Sequence, residues 1–224
     1  MRDPQASRWP HGDCEDRSRN AGDEHGPVKE ESPPILWVFA GPNGAGKTTL
    51  FNDMLRGDIP YVNADEIAHE LDPASGGIDA LRAGRLAVER RNAMVSRRES
   101  LSIETTLSGS SALAFMRKAK ATGYHISLAY VGIDTPELSR ARIDERVVEG
   151  GHDVPQDAVL RRHPDSLRRL ARAMEIADSS LVFDNSGLER RLLLQVENGI
   201  VSFIDDHRPA WFEAAVSRRF WYSD

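Results

Sequence analysis

The sequence predicts an α/β fold in which a mostly parallel sheet is flanked by helices. Short apolar runs, typical of buried strands, alternate with longer stretches in which apolar residues recur every three or four positions. A glycine-rich segment joins the first apolar run to the first of these helical stretches. The 224 residues suffice for one such domain with a sizeable core, and a second full domain is not expected.

The predicted strands are apolar runs bounded by polar or glycine residues. They are Ile35–Ala40, a short segment ending near Val62, Leu101–Thr105, His125–Ile133 and Leu181–Phe183. The helical spacing of apolar residues predicts Lys47–Leu55, Ala80–Arg97, Ser111–Ala121, Pro136–Val148 and Asp165–Ile176. Strands and helices in this alternation are the pattern of a parallel sheet with helices packed on it.

Two further elements are predicted near the C-terminus. Leu192–Val196 and Ile200–Ile204 flank Asn198-Gly199, a dipeptide favoured in hairpin turns, so these two segments are expected to pair. The stretch Trp211–Trp221 is predicted to be a short helix. Its aromatic side chains are expected to pack at the edge of the core, and a base-stacking platform is the alternative.

Residues 1–34 differ in composition from the rest of the chain. They carry five basic and eight acidic residues, several glycines and prolines, and almost no aliphatic residues. We therefore expect a disordered extension without chemistry, the alternative being a partner-binding arm. The folded domain is expected to span residues 35–224.

Composition narrows the classes of function. With 29 basic and 35 acidic residues the formal charge is −6, so neither nucleic acid nor a membrane surface is an expected partner. Cys14 is the only cysteine, which excludes an internal disulfide and disfavours a cysteine metal site. Because the sequence also shows no secretion signal and no long apolar run, a soluble cytoplasmic protein is expected.

The segment Gly41-Pro42-Asn43-Gly44-Ala45-Gly46-Lys47-Thr48 has the composition and setting of a P-loop, a phosphate-binding loop. Its glycines can take backbone angles that other residues avoid, so successive N–H groups can turn toward a phosphate at the start of a helix. Lys47 would reach the β- and γ-phosphates, and the hydroxyl of Thr48 would bind Mg²⁺. The predicted nucleotide contacts are Gly41, Pro42, Asn43, Gly44, Ala45, Gly46, Lys47, Thr48 and Thr49.

Carboxylates follow two of the predicted strands, at the sheet edge where the phosphates would lie. Asp65 comes just after the short second strand and is the predicted general base, since a kinase must orient a hydroxyl and accept its proton. The alternative is that Asn63 or Asp65 caps the next helix. Glu104 ends another strand and could fix a substrate hydroxyl or the metal shell, or be an ordinary ion-paired strand end.

Two weaker signals complete the set of candidate ligands. Asp184 closes a predicted strand and has the position of a Walker-B aspartate that holds Mg²⁺ through water. His152 and His163 lack partners at metal-ligand spacing, so both are interpreted as structural or lid-surface residues.

Eight arginines surround the helix-breaking segment Gly150–Pro155. They are Arg140, Arg142, Arg146, Arg161, Arg162, Arg168, Arg169 and Arg172. Two helices joined at this break would form a lid whose arginines stabilise charge on a phosphoryl group in transfer. Acidic residues share the stretch, so the alternative for any one arginine is a paired, solvated helix face.

Taken together, these motifs resemble the zeta-toxin family of P-loop kinases. The resemblance rests on the order and spacing of Gly41–Thr48, Asn63–Glu66, Glu104–Gly109, Val131–Ile133, Gly150–Pro155 and Phe183–Ser186. It implies a P-loop kinase fold with a helical lid, and phosphorylation of a hydroxyl of UDP-N-acetylglucosamine by ATP or GTP with Mg²⁺. Some members of this family are the toxic half of a toxin–antitoxin pair, so an antitoxin protein is an implied partner.

The resemblance also implies roles for individual residues. Lys47 would be the phosphate lysine, Thr48 the metal hydroxyl and Asp65 the base. Glu104 and Thr106 would contact the substrate sugar. Arg146, with Arg161 or Arg162, would be the phosphate-stabilising arginines.

Two departures from the family pattern bear on the acceptor. Toxin-type members carry an arginine two residues after the substrate threonine, where this chain has Ser108. The lid helix continues here as His163-Pro164-Asp165, where close homologues have an aromatic and a further basic residue. These changes concern the sugar-nucleotide substrate more than the phosphate chemistry.

Three hypotheses follow. The first is a kinase for a small-molecule hydroxyl, most directly that of UDP-N-acetylglucosamine. The second is a kinase for another hydroxyl, such as an antibiotic or a nucleic-acid 5′ end, although the negative charge disfavours nucleic acid. The third is an interaction protein in which an antitoxin controls nucleotide binding.

Overall fold

The computed structural model describes residues 32–55, 57–71, 80–151 and 153–220. The predicted disordered extension lies almost entirely outside these residues, and so do Cys14, His152 and Trp221. The fold below is that of the unit beginning at Pro33.

A seven-stranded sheet forms the centre of this unit. Its strands are β1 Ile35–Ala40, β2 Tyr61–Val62, β3 Leu101–Thr105, β4 His125–Gly132, β5 Ser179–Asp184, β6 Arg191–Glu197 and β7 Ile200–Ile204. The spatial order is β2-β3-β1-β4-β5-β6-β7. The first five strands are parallel, and β6 and β7 extend the sheet as an antiparallel hairpin. The predicted mostly parallel sheet is thus confirmed.

Helices connect the parallel strands. They are α1 Lys47–Leu55, α2 Ala64–Leu71, α3 Ala80–Ser96, α4 Ser110–Ala121, α5 Pro136–Val148, α6 Gln156–Ile176 and α7 Ala210–Ala215, followed by a 3₁₀ turn at Arg218–Phe220. The bounds of α1 and α5 are as predicted, and those of α3 and α4 differ by one residue. The sequence analysis gave no bounds for α2 and only considered that Asn63 or Asp65 caps a helix there, although Ala64, Ile67 and Leu71 recur at helical spacing.

The predicted start of helix α6 is wrong. It was expected to begin at Asp165, because proline at position 164 normally ends or kinks a helix. It begins at Gln156, after Pro155, and continues through Pro164. Its buried residues recur at helical spacing on both sides of the proline, so packing of one continuous face offsets the missing backbone hydrogen bond.

The core lies on both faces of the sheet. Alternate residues of β1 and β4 point in opposite directions, so Val38 and Leu128 join one apolar cluster and Phe39 and Val131 join the other. Helix α1 packs with the second cluster, while α3, α4, α6 and α7 pack with the first. Helices α5 and α6 share a small separate cluster of Ile143, Val154, Ala158 and Val159.

Near the C-terminus the predicted hairpin is confirmed, but the predicted helix Trp211–Trp221 is shorter, because α7 ends at Ala215 and a separate 3₁₀ turn follows at Arg218–Phe220. Asn198 and Gly199 both have positive φ, 51° and 81°, as a two-residue hairpin turn of the favoured hand requires. Trp211 and Phe212 of α7 and Phe220 are at most 5% exposed, so these aromatic rings are core residues and not a stacking surface. None of the described helices is both long and apolar enough to cross a membrane.

Candidate active site

The glycine-rich segment between β1 and α1, called the glycine loop and comprising Gly41–Thr48, lies at the carboxyl edge of the parallel strands. Gly41, Gly44 and Gly46 have φ of 143°, 71° and 89°, which other residues rarely adopt. The Gly41 N–H donates to the Thr105 carbonyl at 3.2 Å. A Cβ atom at Gly41 would lie 2.1 Å from the Val131 carbonyl oxygen, so the loop fits against β3 and β4 only because this residue is glycine.

Neighbouring elements hold the rest of the loop in place. A Cβ at Gly44 would lie 2.6 Å from the Ser139 carbonyl oxygen of α5, so that helix packs directly on the loop. The Asn185 side chain, after β5, donates through Nδ2 to the Ala45 carbonyl at 2.9 Å. The sequence analysis did not predict this contact, because nothing in a local pattern shows which strand ends meet.

Three of the residues that the sequence singled out come together where α1 begins. Lys47 is 6% exposed, and its ammonium donates to the Pro42 carbonyl at 2.9 Å. The same Nζ lies 3.6 Å from Glu104 Oε1. The exposed Thr48 hydroxyl donates to Glu104 Oε2 at 2.8 Å. The next residue, Thr49, is exposed.

Glu104 has a third partner that the sequence analysis did not identify. The Tyr61 hydroxyl donates to Glu104 Oε2 at 2.5 Å and accepts from Asn63 Nδ2 at 3.2 Å. The Tyr61 ring stacks on Phe51, with 3.9 Å between ring centroids. Burial, and then the negative charge of Glu104, raise the pKa of Tyr61 well above its ordinary value, so the hydroxyl remains a donor.

Asp65 lies in the first turn of α2, and its side chain is exposed. Its backbone N–H donates to Asn63 Oδ1 at 3.0 Å, which makes Asn63 the N-cap of the helix. The capping alternative therefore holds for Asn63, while the Asp65 carboxylate remains available to solvent. Glu66, the next residue, has a pKa raised by burial and then by the charge of Glu104, so this turn lies within electrostatic reach of Glu104.

The segment after β3 is strained. Leu107 has a φ of 55°, in the left-handed region that leucine avoids, and its side chain is fully buried. Its N–H donates to Thr105 Oγ1 at 3.0 Å, and the hydroxyls of Thr106 and Ser108 on either side are 2.8 Å apart. The buried leucine thus holds a turn in which the hydroxyls of Thr106 and Ser108 meet each other.

The eight arginines of α5 and α6 differ in whether they form ion pairs with acidic residues. Arg140 pairs with Asp144 and Asp153 and donates to the Val154 carbonyl at 2.5 Å, which fixes the connection between the two helices. Arg168 and Arg169 both pair with Asp165. These three fit the alternative of a paired helix face.

The remaining arginines include all three that the sequence analysis selected. Arg142 donates to the Gly187 carbonyl at 3.0 Å. Arg146 is exposed at the end of α5, and its side chain packs against Gly151. Arg161, Arg162 and Arg172 form no ion pair or hydrogen bond with any other residue that the structure describes. Arg161 is exposed and Arg162 half-buried.

Asp184 and His163 have structural contacts. Asp184 is 9% exposed, and its Oδ1 accepts from the Ser186 hydroxyl at 2.6 Å and from Trp211 Nε1 at 3.1 Å. The Trp211 ring lies against Gly132, so Asp184 and Gly132 together anchor α7 to the sheet. His163 is buried, and its Nε2 lies 2.8 Å from the Ile133 carbonyl, which confirms the structural interpretation. Within residues 32–220 as described, no three His, Cys, Asp or Glu side chains form a metal-binding cluster.

Several solved structures share the fold of this chain. Structures that share this fold include chains of the AvrRxo1-ORF1:AvrRxo1-ORF2 complex, solved with sulphate ions and with ATP. The TM-scores are 0.67 and 0.66 at 17% and 18% identity, covering 85% and 82% of this chain. This chain spans 66% and 64% of those chains, just under two thirds. A chain from the PezAT chromosomal toxin-antitoxin system of Streptococcus pneumoniae gives 0.52 at 22% identity, covering 71% of this chain and 73% of that one.

The chain thus shares the fold of these structures, a mostly parallel sheet flanked by helices as predicted. The family model described as Zeta toxin matches residues 19–192, more than half of the sequence. The chain belongs to the zeta toxin family. An uncharacterised protein of Haemophilus influenzae is 33% identical over 135 residues, which are 57% of this chain and 96% of that protein.

Proposed function

We propose that this protein is a kinase that transfers the γ-phosphoryl group of ATP or GTP to a hydroxyl of a small molecule, with Mg²⁺. The observation that carries this proposal is the meeting of Lys47, Thr48 and Glu104 where the glycine loop enters α1. A buried lysine, a hydroxyl and a carboxylate within 4 Å at a helix N-terminus provide contacts for both a phosphate and a hard cation.

The phosphate contacts would come from the glycine loop. The positive φ of Gly44 and Gly46 allows backbone N–H groups of this loop to turn toward an anion, and α1 adds the positive end of its dipole. We propose Gly41, Pro42, Asn43, Gly44, Ala45, Gly46, Lys47, Thr48 and Thr49 as the nucleotide-binding segment. The sharing of this fold with an AvrRxo1 complex solved with ATP supports the proposal.

The residues at the site suit a magnesium ion. Mg²⁺ prefers oxygen ligands and keeps several waters, so one or two protein oxygens and the phosphates are sufficient. Thr48 Oγ1 and the Glu104 carboxylate are such oxygens, and they lie 2.8 Å apart. We propose that Thr48 holds the ion. Once bound, the ion would neutralise charge on the nucleotide phosphates.

The remaining roles follow from position and charge. Asp65 is exposed at the start of α2, where its carboxylate is free to orient the acceptor hydroxyl and take its proton. Arg146 and one of Arg161 and Arg162 would stabilise charge on the phosphoryl group as α5 and α6 close over it. Neither Arg161 nor Arg162 forms an ion pair with another described residue, which supports this assignment, because a phosphate can then bind them without breaking such a pair.

For the acceptor we propose an amino-sugar nucleotide, UDP-N-acetylglucosamine being the first to test, with Glu104 and Thr106 as its contacts. The support is the resemblance of the motifs to zeta toxins. Ser108 departs from that pattern, and the Thr106 and Ser108 hydroxyls contact each other, so a different hydroxyl compound is the main alternative.

We also propose a protein partner of the antitoxin type, and a cytoplasmic location for both. The matched structures support a partner, since the PezAT system is described as toxin and antitoxin and AvrRxo1-ORF1 is described with AvrRxo1-ORF2. A catalytically inactive protein whose nucleotide site is covered by such a partner is the competing function. It differs from the kinase in one measurable respect, namely turnover by the free protein.

The test is transfer of label from γ-labelled ATP with Mg²⁺, in the presence and absence of UDP-N-acetylglucosamine. We expect a labelled sugar nucleotide, and at least a hundredfold loss of product in the Lys47→Ala variant, because an electrostatic contact to the transferred group contributes about 3 kcal/mol or more. Lys118→Ala, which removes an exposed lysine of α4, is the matched control and should retain full activity.

Two other outcomes would change the proposed acceptor or the proposed activity. Label transfer to a different metabolite in a cell extract would retain the kinase and replace the acceptor. Tight binding of ATP without transfer to any small molecule would favour the partner-controlled binding protein.

A further inference from the structure

We propose that Tyr61 and Asn63 are positioning residues, which transmit occupancy of the phosphate site to the first turn of α2, where Asp65 lies. This inference rests on the proposed function, and it adds residues to which neither the sequence analysis nor the family comparison gives such a role. It follows from one unbroken series of contacts, called here the hydrogen-bond relay: Thr48, Glu104, Tyr61, Asn63 and Asp65.

Each link of the relay is a short, well-defined contact. Thr48 Oγ1 and the Tyr61 hydroxyl both donate to Glu104 Oε2, at 2.8 and 2.5 Å. Asn63 Nδ2 donates to the Tyr61 oxygen at 3.2 Å. Asn63 Oδ1 accepts from the Asp65 backbone N–H at 3.0 Å. The relay thus joins the start of α1 to the start of α2 through β3 and β2.

The chemistry of the groups gives the relay one direction. A backbone N–H can only donate, so the Asn63 amide must present its oxygen to Asp65 and its NH₂ to Tyr61. With its oxygen accepting from Asn63, the Tyr61 hydroxyl directs its hydrogen to Glu104. Hydrogen bonds aligned in this way polarise one another, so a change at Glu104 alters the strength of the following links.

The tyrosine is held rigidly, which a relay requires. Its ring is nearly parallel to that of Phe51, with an interplanar angle of 11° and centroids 3.9 Å apart. Phe51 is 6% exposed and belongs to α1, the helix that begins with Lys47 and Thr48. The hydroxyl therefore has little freedom to seek another acceptor if Glu104 changes its partners.

Nucleotide binding would change those partners. Glu104 now accepts from Thr48 and Tyr61 and lies 3.6 Å from the Lys47 ammonium. A bound phosphate and its cation would engage Lys47 and Thr48, which would leave Tyr61 as the remaining side-chain donor to Glu104. The hydrogen bond from Tyr61 to Glu104 should then strengthen. Through Asn63, the N-cap hydrogen bond from the Asp65 N–H to Asn63 Oδ1 should strengthen as well.

The experiment compares Tyr61→Phe with Tyr124→Phe in the full chain. Tyr61→Phe removes the hydroxyl and keeps the ring that stacks on Phe51. The control, Tyr124→Phe, removes another buried hydroxyl, which donates to the Glu99 carbonyl at 2.9 Å and takes no part in the relay. Asn63→Ser is a third variant, since serine keeps an N-cap oxygen but lacks the amide donor to Tyr61.

The probe is the non-hydrolysable ATP analogue adenylyl imidodiphosphate with Mg²⁺. Two quantities are measured: its Kd, and the change in amide hydrogen exchange that it causes over residues 64–68. We expect wild type and Tyr124→Phe to slow exchange there by about fivefold on binding. Tyr61→Phe and Asn63→Ser should bind with a Kd within about threefold of wild type, yet slow exchange by less than about twofold.

A turnover measurement separates positioning from plain stability. In whichever acceptor assay shows activity, Tyr61→Phe should lower kcat by about tenfold and leave the KM for ATP nearly unchanged, whereas Tyr124→Phe should alter neither. If Tyr61→Phe binds the analogue and slows exchange in α2 as wild type does, the relay is excluded. If wild type itself fails to bind the analogue, the proposed function fails and the relay with it.

Discussion

The two sides of the candidate site differ in how their charges are held. On the sheet side, Lys47 and Glu104 are 6% and 15% exposed and contact each other and Thr48. On the helical side, Arg161 and Arg162 lie on α6 without an ion pair or hydrogen bond to another described residue. The charged groups of the sheet side are thus paired with one another before any ligand binds, whereas no described acidic residue pairs with these two arginines of the helical side.

This difference predicts how each side responds to mutation. Removing one partner of a buried, hydrogen-bonded group leaves the others unsatisfied, so changes on the sheet side should lower both stability and activity. Removing Arg161 or Arg162 breaks no ion pair or hydrogen bond with another described residue, so changes on the helical side should lower activity alone. Asp65, exposed on α2, should behave like the helical side although it lies next to the sheet.

The largest effect is expected at Asp65. Asp65→Asn keeps the shape of the side chain and removes the proton acceptor, so we expect kcat to fall by about a hundredfold to a thousandfold. The thermal midpoint and the Kd for nucleotide should remain close to wild type, because the Asp65 carboxylate has no hydrogen bond with another described residue and its backbone N–H is untouched. Steady-state kinetics and a thermal melt measure these quantities.

The neighbouring carboxylate serves as the control. Glu66→Gln changes an exposed residue of the same turn and should reduce kcat by less than about threefold, as a residue outside the reaction does. Full activity in Asp65→Asn would remove Asp65 as the base.

The sequence predicts the sheet side well because its signals are local. The glycine loop is a contiguous motif whose backbone angles follow from residue type, and Gly41, Gly44 and Gly46 all have the positive φ that this interpretation requires. Glu104 lies at the end of β3 and Asp65 follows β2, and parallel strands bring their carboxyl ends to one edge. Tyr61 was missed because its partner is 43 residues away and a lone tyrosine carries no motif.

The helical side could be predicted only in outline. The helices α5 and α6 and the break between them follow from spacing and from glycine and proline, but the start of α6 was placed too late because Pro164 lies inside it. Eight arginines near acidic residues allow many pairings, and sequence distance does not decide among them. Only the three-dimensional contacts show that Arg140, Arg168 and Arg169 are paired, while Arg161 and Arg162 form no ion pair with any residue the structure describes.

A second, smaller effect is expected on the helical side. Of Arg161→Ala and Arg162→Ala, we expect one to lower kcat by about a hundredfold, which corresponds to loss of one well-placed charge contact to the transferred group. The other should change kcat by less than about threefold. Neither should shift the thermal midpoint by more than about 2 °C, because neither side chain has an ion pair or hydrogen bond with another described residue to lose.

Arg172→Ala is the matched control for this pair. Arg172 lies on the same helix, is exposed and has no ion pair with a described residue, but it is more than two turns further from the start of α6. Its loss should leave kcat unchanged. Equal activity in all three variants would assign the charge stabilisation to Arg146 or to a residue outside α6, and the helical side would lose its proposed role.

The smallest effect is expected at Asn185, which tests whether the sheet side is truly held in place before ligand binds. Asn185→Ala removes the donor to the Ala45 carbonyl, so we expect a loss of about 1 kcal/mol of unfolding free energy and about a fivefold weaker Kd for nucleotide. Asn92→Ala, which removes an exposed amide paired with Lys118, should change neither quantity. Urea unfolding and nucleotide titration measure both. A loss of stability with an unchanged Kd would mean that the glycine loop is shaped by its own glycines and by α5, without help from Asn185.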